Sequence, residues 1–148
     1  MATEKDKDGM PTIEEQIKAY KEKAEKRAQE WQTKKQEREL EAFKAAEEIT
    51  SKHPEWEQGV KFDVITTDVG VFAVRAPDFT TAKKFSAIPA DKRTDEDIQA
   101  FVDPCVIYPT NKMLYRSVAQ EHGGVPWRLC LCMLAMYEGN AKERMGKF

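Results

Sequence analysis

Three cysteines and a histidine are the residues whose types could bind a metal ion or act as a nucleophile. Cys130 and Cys132 form a C-x-C pair, and Cys105 or His122 could complete a tetrahedral zinc set. Residues two apart on an α-helix, however, point about 200° from each other, so both thiolates would not face one ion. Nucleophilic catalysis needs a thiol beside an ordered histidine in a polar pocket, whereas these thiols stand among leucine and methionine. We therefore expect no metal ion, no cofactor and no catalytic residue.

The remaining motifs add no independent indication of catalysis. The sequence HGGV at residues 122–125 is similar to the glycine-rich oxyanion loop of some esterases, but no G-x-S-x-G accompanies it. No phosphate-binding loop, dinucleotide glycine pattern or H-E-x-x-H is present. The basic pairs Lys34-Lys35 and Lys83-Lys84 stand beside acidic residues, and a net charge of −2 provides no basic field for nucleic acid. The sequence thus favours a non-enzymatic protein that does not bind nucleic acid.

The two neighbouring thiols belong to the most apolar segment of the chain, residues 123–140. Pro126 suits the first position of a helix and Gly139 the residue just past its end, which predicts about a dozen helical residues. Such a helix is about 18 Å long, too short to cross a bilayer, and a helix that is apolar all round is buried all round. We therefore expect the central helix of a small core, with Leu131 and Leu134 buried, and no membrane segment.

Residues 60–140 have the pattern of a small globular domain built from one β-hairpin and about four helices. The runs 60–67 and 71–75 are rich in β-branched residues and predict the hairpin. Asp78 or Thr80 would cap a short helix, and Thr94 would cap a second one. Pro104 either kinks that second helix or ends it, leaving Cys105–Tyr108 as a buried link; both interpretations stay open.

Two more helices complete this domain. Pro109-Thr110 predicts the start of a helix whose apolar side carries Met113, Leu114, Val118 and Ala119. A glycine pair ends that helix, and the apolar helix described above follows it. The predicted fold class is α+β and mostly helical.

A different composition precedes His53-Pro54, where Glu, Lys, Gln, Arg and Ala dominate and Gly and Pro are nearly absent. Thr12 and Glu15 have the spacing of a capping box, which predicts a helix of roughly 40 residues, about 60 Å long. Apolar residues at 4-3-4-4-3 spacing form a narrow stripe along it, namely Ile13, Ile17, Tyr20, Ala24, Ala28 and Trp31. Lys35 and Arg38 stand at the next positions, and the series resumes out of phase at Leu40, Phe43, Ala46 and Ile49, which disfavours a continuous coiled coil.

Two interpretations of this helix stay open. In one it is a solvated helix that contacts the globular domain only through its last two turns. In the other its apolar residues bind a partner, and the predicted binding residues are Ile13, Ile17, Tyr20, Ala24, Trp31, Leu40 and Phe43. The predicted organisation is a disordered N-terminus at 1–11, the helical arm at 12–53, the globular domain at 60–140 and a C-terminal tail at 141–148.

Three segments carry a resemblance to a known family: VFAVRAPDFTTAKKF, DIQAFVDPCVIYP and WRLCLCMLAMYEG. Their order within residues 60–139 resembles that of bacteriophage tail assembly chaperones, small proteins encoded just before the tape measure protein in long-tailed phages. The resemblance implies a non-enzymatic protein of the host cytoplasm. It would bind the apolar, helical tape measure protein until tail tube subunits polymerise around it, and many such proteins are also made in a longer, frameshifted form.

The expected partner is therefore a helical protein, with a homo-oligomer as a further possibility. The alternative is a structural virion protein or a coiled-coil adaptor that uses residues 12–52 for permanent assembly. A third interpretation, an enzyme or metal protein, would show itself by metal in the purified protein. An odd number of cysteines without disulfide-framework spacing, together with a charged amino terminus, agrees with a cytosolic location.

Overall fold

A computed structural model describes residues 9–146 of the chain, with side chains up to Ala141. As predicted, the fold is α+β and mostly helical. The chain divides into two compact units at the junction of Glu37 and Arg38, which lies inside the first helix and before the composition change at His53-Pro54. Of the N-terminal segment predicted to be disordered, residues 1–8 lie outside the described part.

The first helix, α1, extends from Ile13 to Lys52 and confirms the long N-terminal helix. The Oγ1 atom of Thr12 accepts a hydrogen bond from the Glu15 amide at 3.2 Å, which caps the helix where the sequence indicated. Glu14 and Glu15 in the first turn and Lys52 in the last complement the helix dipole. Since α1 contains neither glycine nor proline, nothing in its sequence interrupts the backbone hydrogen bonds.

The sheet has three antiparallel strands in the order β1-β2-β3, with β1 at Phe62–Thr67, β2 at Gly70–Arg75 and β3 at Val106–Tyr108. β1 and β2 form the predicted hairpin, in which Thr67 pairs with Gly70 across a two-residue turn. The Thr67 hydroxyl donates to the Gly70 carbonyl at 2.8 Å and accepts the Val69 amide at 3.3 Å. These bonds satisfy polar groups at the turn and hold the register of the hairpin.

Of the two interpretations of Pro104, the structure has the one in which the helix ends, and it adds that Val106–Tyr108 of the predicted link form a strand. Helix α3, Asp95–Val102, ends before Pro104, and a single 3-10 turn at Asp103–Cys105 leads into β3. The helix therefore stops and does not kink, because proline has no amide hydrogen to continue the backbone ladder. β3 pairs with β2 through an irregular register, which a β-bulge explains.

Two short helices follow β2, both starting where the sequence indicates. Helix α2 spans Phe79–Ala87, and the Asp78 carboxylate accepts the Thr81 amide at 2.7 Å as its N-cap. At the start of α3, Thr94 accepts the Asp97 amide at 3.1 Å, and Asp97 accepts the Thr94 amide at 3.0 Å. This reciprocal capping box is the one predicted from the T-x-x-D spacing.

Helix α4 differs from its prediction in both its start and its buried face. It spans Lys112–Glu121 and is capped by Asn111, so it begins after Pro109-Thr110. Met113 and Leu114 are exposed, whereas Tyr115 and Ala119 are the buried residues of the helix. The assignment of Met113 and Leu114 to the core side was therefore wrong.

Helix α5 is longer than predicted and spans Gly124–Gly146. Pro126 lies in its first turn, but Gly139 lies inside the helix, and residues 141–146 of the predicted tail continue it. Leu129, Cys130, Met133 and Met136 are buried, as expected of a central core helix. Leu131, however, is 49% exposed, so α5 is not buried all round. No helix in the described part of the chain is both long enough and apolar enough to cross a bilayer.

The sheet of the second unit buries residues on both of its faces. Side chains alternate along a strand, so Ile65 faces one side while Phe62 and Val64 face the other. The main core lies between the sheet and α2 to α5, and includes Phe72, Val74, Phe85, Phe101, Val102, Leu129 and Met133. The second core, formed by Ile49, Phe62 and Ala73, lies against the last turns of α1. We call residues 38–146 the body.

Candidate partner-binding surface

The first unit presents the apolar residues that helical spacing predicts on one face of α1. Their side chains are exposed, at 75% for Ile13, 49% for Ile17, 69% for Tyr20 and 74% for Trp31, and Ala24 and Ala28 are exposed as well. A single exposed apolar side chain is ordinary, but a series at helical spacing forms a continuous apolar surface. We call this surface the N-terminal stripe: Ile13, Ile17, Tyr20, Ala24, Ala28 and Trp31.

Leu40 and Phe43, the two other predicted binding residues, belong to the body and are also exposed. They are not the residues by which α1 packs on the sheet, because Ile49, with Ala46 beside it, fills that role. In helical spacing Leu40 lies about half a turn away from Ile49. The apolar residues of this segment therefore form two faces, one buried and one exposed, and not the single resumed series that the sequence predicts.

Within the body, the C-terminal part of α1 and the segment after it are joined to the sheet by polar and aromatic contacts. The hydroxyl of Tyr108 on β3 donates to Glu41 Oε1 at 2.9 Å. Burial, with Glu41 nearby, raises the pKa of Tyr108, so the hydroxyl keeps its proton for this bond. After the helix, the His53 ring stacks on Trp56 with centroids 3.8 Å apart, and Trp56 packs against Phe62 of the second core. The last turns of α1 are thus part of the body.

The three thiols have different surroundings. Cys105 and Cys130 are buried in the main core, whereas the Cys132 Sγ lies 3.9 Å from Asp63 Oδ2 on β1. Burial raises the pKa of Cys105 and of Cys130. Burial, with the negative charge of Asp63, raises the pKa of Cys132 to about 11. Thiols in this state remain protonated near neutral pH and are poor nucleophiles and poor metal ligands.

The cysteines and histidine are also the residue types that could bind a metal ion. Among the side chains that the structure describes, no group of three or more His, Cys, Asp or Glu residues has a geometry that could hold a metal ion. Cys130 is enclosed by the main core, and the near neighbour of Cys132 is the Asp63 carboxylate. Cys130 and Cys132 thus differ in their burial and in their polar neighbour, although both pack in or against the main core.

A shallow cleft of about 400 Å³ lies between α3 and α4 and was not predicted from the sequence. Its lining includes Asp103, Tyr115 and Arg116. The Arg116 guanidinium donates to both carboxylate oxygens of Asp103, at 3.2 and 3.1 Å, and this lowers the pKa of Asp103. Burial raises the pKa of Tyr115 to about 12. Asp103 and Arg116 satisfy each other, so this pair joins α4 to the turn that follows α3 and is not poised for proton transfer.

The surface best suited to a ligand is therefore the N-terminal stripe, whose apolar groups are exposed and whose ends are marked by Ile13 and Trp31. A partner that covers it would remove these side chains from water, which is the main source of free energy in protein association. Comparison of the chain with protein-family models, with curated proteins and with solved structures gave no match.

Proposed function

We propose that this protein is a non-enzymatic assembly chaperone that binds a helical segment of a partner protein through the N-terminal stripe. The observation that carries the proposal is the exposure of Ile13, Tyr20 and Trp31, each about 70% exposed, on one face of a regular helix. The resemblance of residues 60–139 to phage tail assembly chaperones supplies the partner, the tape measure protein of a long-tailed phage. Binding would occur in the host cytoplasm during tail assembly.

The dimensions of the stripe suit temporary binding of a helix. From Ile13 to Trp31 the helix rises about 27 Å, which matches about five turns of a partner helix packed alongside. The stripe is narrow, and its middle consists of Ala24 and Ala28, so the apolar area that it can bury is limited. Since association must also overcome lost translational and side-chain freedom, such a surface is expected to bind reversibly. Reversible binding is what a chaperone requires.

The chemistry of the body supports a non-enzymatic role. The thiols are held protonated, with the pKa of Cys132 raised to about 11. Asp103 and Arg116, the charged pair of the cleft, are already bonded to each other. These groups stabilise the body in their present arrangement and need no substrate to satisfy them.

The experiment that tests the proposal uses the full chain with three substitutions in the stripe, Ile17→Ser, Tyr20→Ser and Trp31→Ser. The matched control carries Met113→Ser and Leu114→Ser, which remove exposed apolar side chains from α4 in the body. Each protein is co-expressed with the tape measure protein of the same phage, and the soluble, co-purifying fraction of that partner is measured. With the stripe variant, most of the soluble, co-purifying tape measure protein should be lost, whereas with the control it should be retained.

Retention of the partner by the stripe variant would contradict the proposal, and loss in the control alone would transfer the binding surface to α4.

Analysis of purified phage particles distinguishes the chaperone from the alternative, a structural or adaptor protein. A chaperone is absent from the finished particle, whereas a structural protein is present at a fixed ratio to the tail tube subunit. Detection at a fixed ratio would therefore replace the proposed function with the structural one.

A further inference from the structure

The charged residues around the N-terminal stripe are not distributed evenly. Residues three or four positions apart are neighbours on a helix surface. By this criterion the basic neighbours of stripe residues are Lys21, Lys23, Arg27, Lys34 and Lys35, and the acidic neighbours are Glu14 and Glu25. The acidic residues Glu15, Glu22, Glu30 and Glu37 have no stripe residue at these spacings. The stripe is therefore apolar with basic edges, although the whole chain has a net charge of −2.

The structure agrees with this placement of the basic side chains. The Lys23 Nζ lies 5.8 Å from the centroid of the Tyr20 ring, so this ammonium group sits beside the stripe. Lys23, Arg27 and Lys34 are all exposed, and each can reach a ligand that covers the neighbouring apolar residue. A ligand that buries Tyr20 and Trp31 would bring its own flanking groups against these cations.

The shape of the stripe favours a helix as this ligand. Large side chains stand at Ile17, Tyr20 and Trp31, whereas Ala24 and Ala28 leave a depression within the roughly three turns between Tyr20 and Trp31. A second helix can fill the depression with one or two of its own side chains, as ridges fill grooves in helix packing. A bilayer surface has no side chain to place there and would contact mainly the large residues.

We infer that the stripe recognises an amphipathic helix whose apolar face is bordered by glutamate or aspartate. This inference rests on the proposed function and adds the charge character of the partner segment. A second copy of α1 is disfavoured as the occupant, because its Lys21, Lys23 and Arg27 would approach the same cations of the first copy. Acidic side chains on the partner would instead form ion pairs around the rim and fix the register of the two helices.

The test measures binding of two synthetic helical peptides to the full chain by fluorescence anisotropy. Both peptides have about four heptads with the same leucine and alanine face, and they differ only in carrying glutamate or lysine beside that face. The glutamate peptide should bind at least about tenfold more tightly, and this preference should diminish as salt is raised and charge is screened. The chain with Lys23→Glu and Arg27→Glu should prefer the lysine peptide.

The matched control is Lys18→Glu with Lys26→Glu, which changes the net charge equally on residues that do not border the stripe. It should keep the preference for the glutamate peptide, and circular dichroism should show that both variants remain helical. Equal affinity for the two peptides would overturn the inference, as would the same loss of preference in the control. Binding of neither peptide would also overturn it, whereas the proposed function is judged separately by the co-expression experiment. Tighter binding to phosphatidylglycerol vesicles than to the glutamate peptide would assign the surface to a membrane and overturn the inference.

Discussion

The two halves of α1 have similar compositions, yet only the second half buries any of its apolar residues, while its Leu40 and Phe43 stay exposed. In the first unit Ile17 and Tyr20 are exposed, whereas Ala45 and Ile49, in the body, are almost completely buried. Both halves have the same helix-forming character, but Ile49 in the second half packs against the sheet residues Phe62 and Ala73. Helical periodicity decides which residues share a face, but burial depends on a partner element that is distant in sequence.

The largest contrast is expected inside α5, between Leu129 and Leu131. Leu129 is completely buried in the main core, so Leu129→Asp places an unpaired carboxylate there and should unfold the body. Leu131→Asp should leave a cooperatively folded protein, because the side chain is half exposed and the new charge can stay in water. Thermal unfolding followed by circular dichroism measures both. Equal stability of the two variants would contradict the difference in burial between Leu129 and Leu131.

The next comparison is between two truncations that end on either side of the buried face of α1. Removing residues 1–37 deletes only the first unit and should change the melting temperature by no more than a few degrees. Removing residues 1–50 also deletes Ala45 and Ile49 and opens the second core, so a loss of several kcal/mol is expected. A minor effect of the longer truncation would show that the second core contributes little to the stability of the body.

A smaller effect is expected from the same substitution in each half of the helix. Ile49→Ala leaves a cavity beside Phe62 and Ala73 and should reduce the free energy of unfolding by about 2–4 kcal/mol. Ile17→Ala changes an exposed residue and should alter it by less than ~0.5 kcal/mol. Urea denaturation gives both values. A loss at Ile17 as large as that at Ile49 would mean that the N-terminal stripe is covered within the protein itself.

The smallest effect concerns the bridge between Asp103 and Arg116 in the body. Arg116 holds the pKa of Asp103 below its ordinary value of 3.8, so the stabilisation is fully present above that value and is lost as pH falls through the folded pKa. Arg116→Gln should therefore lower the free energy of unfolding only slightly at pH 7, since both groups are partly exposed, and should have no effect once Asp103 is protonated. Urea denaturation at pH 7 and in acid measures the difference. An equal loss at both pH values would assign the effect of Arg116 to packing.

Local interactions explain the parts of the fold that were predicted correctly. The caps at Thr12, Asp78 and Thr94 are bonds between residues three apart, and a short sequence window contains all of the groups involved. The same is true of the β1-β2 hairpin, whose turn joins Thr67 to Gly70. The apolar residues of the first part of α1 form a stripe too narrow to build a core, and their exposure in the structure agrees with this.

Interactions between residues distant in sequence explain what was missed. β3 is a strand because Ala73 and Val74 are there to pair with it. Its residues Val-Ile-Tyr favour strands by type, but a run of three is too short to predict one from the sequence. Met113 and Leu114 are exposed because the body packs the opposite side of α4, through Tyr115 and Ala119. Periodicity defines the faces of a helix but does not indicate which face the remainder of the fold will cover.

The sequence by itself determined the long N-terminal helix, the hairpin and the helix caps, because each depends on backbone geometry over a few residues. The tertiary structure alone decided that α1 is shared between two units, that the sheet buries both faces, and that Leu40 and Phe43 lie away from Ile49. It also placed Cys132 beside Asp63, which is 69 residues away in the chain. Burial is a property of the packed assembly of elements, so it becomes defined only when distant segments have removed one another from water.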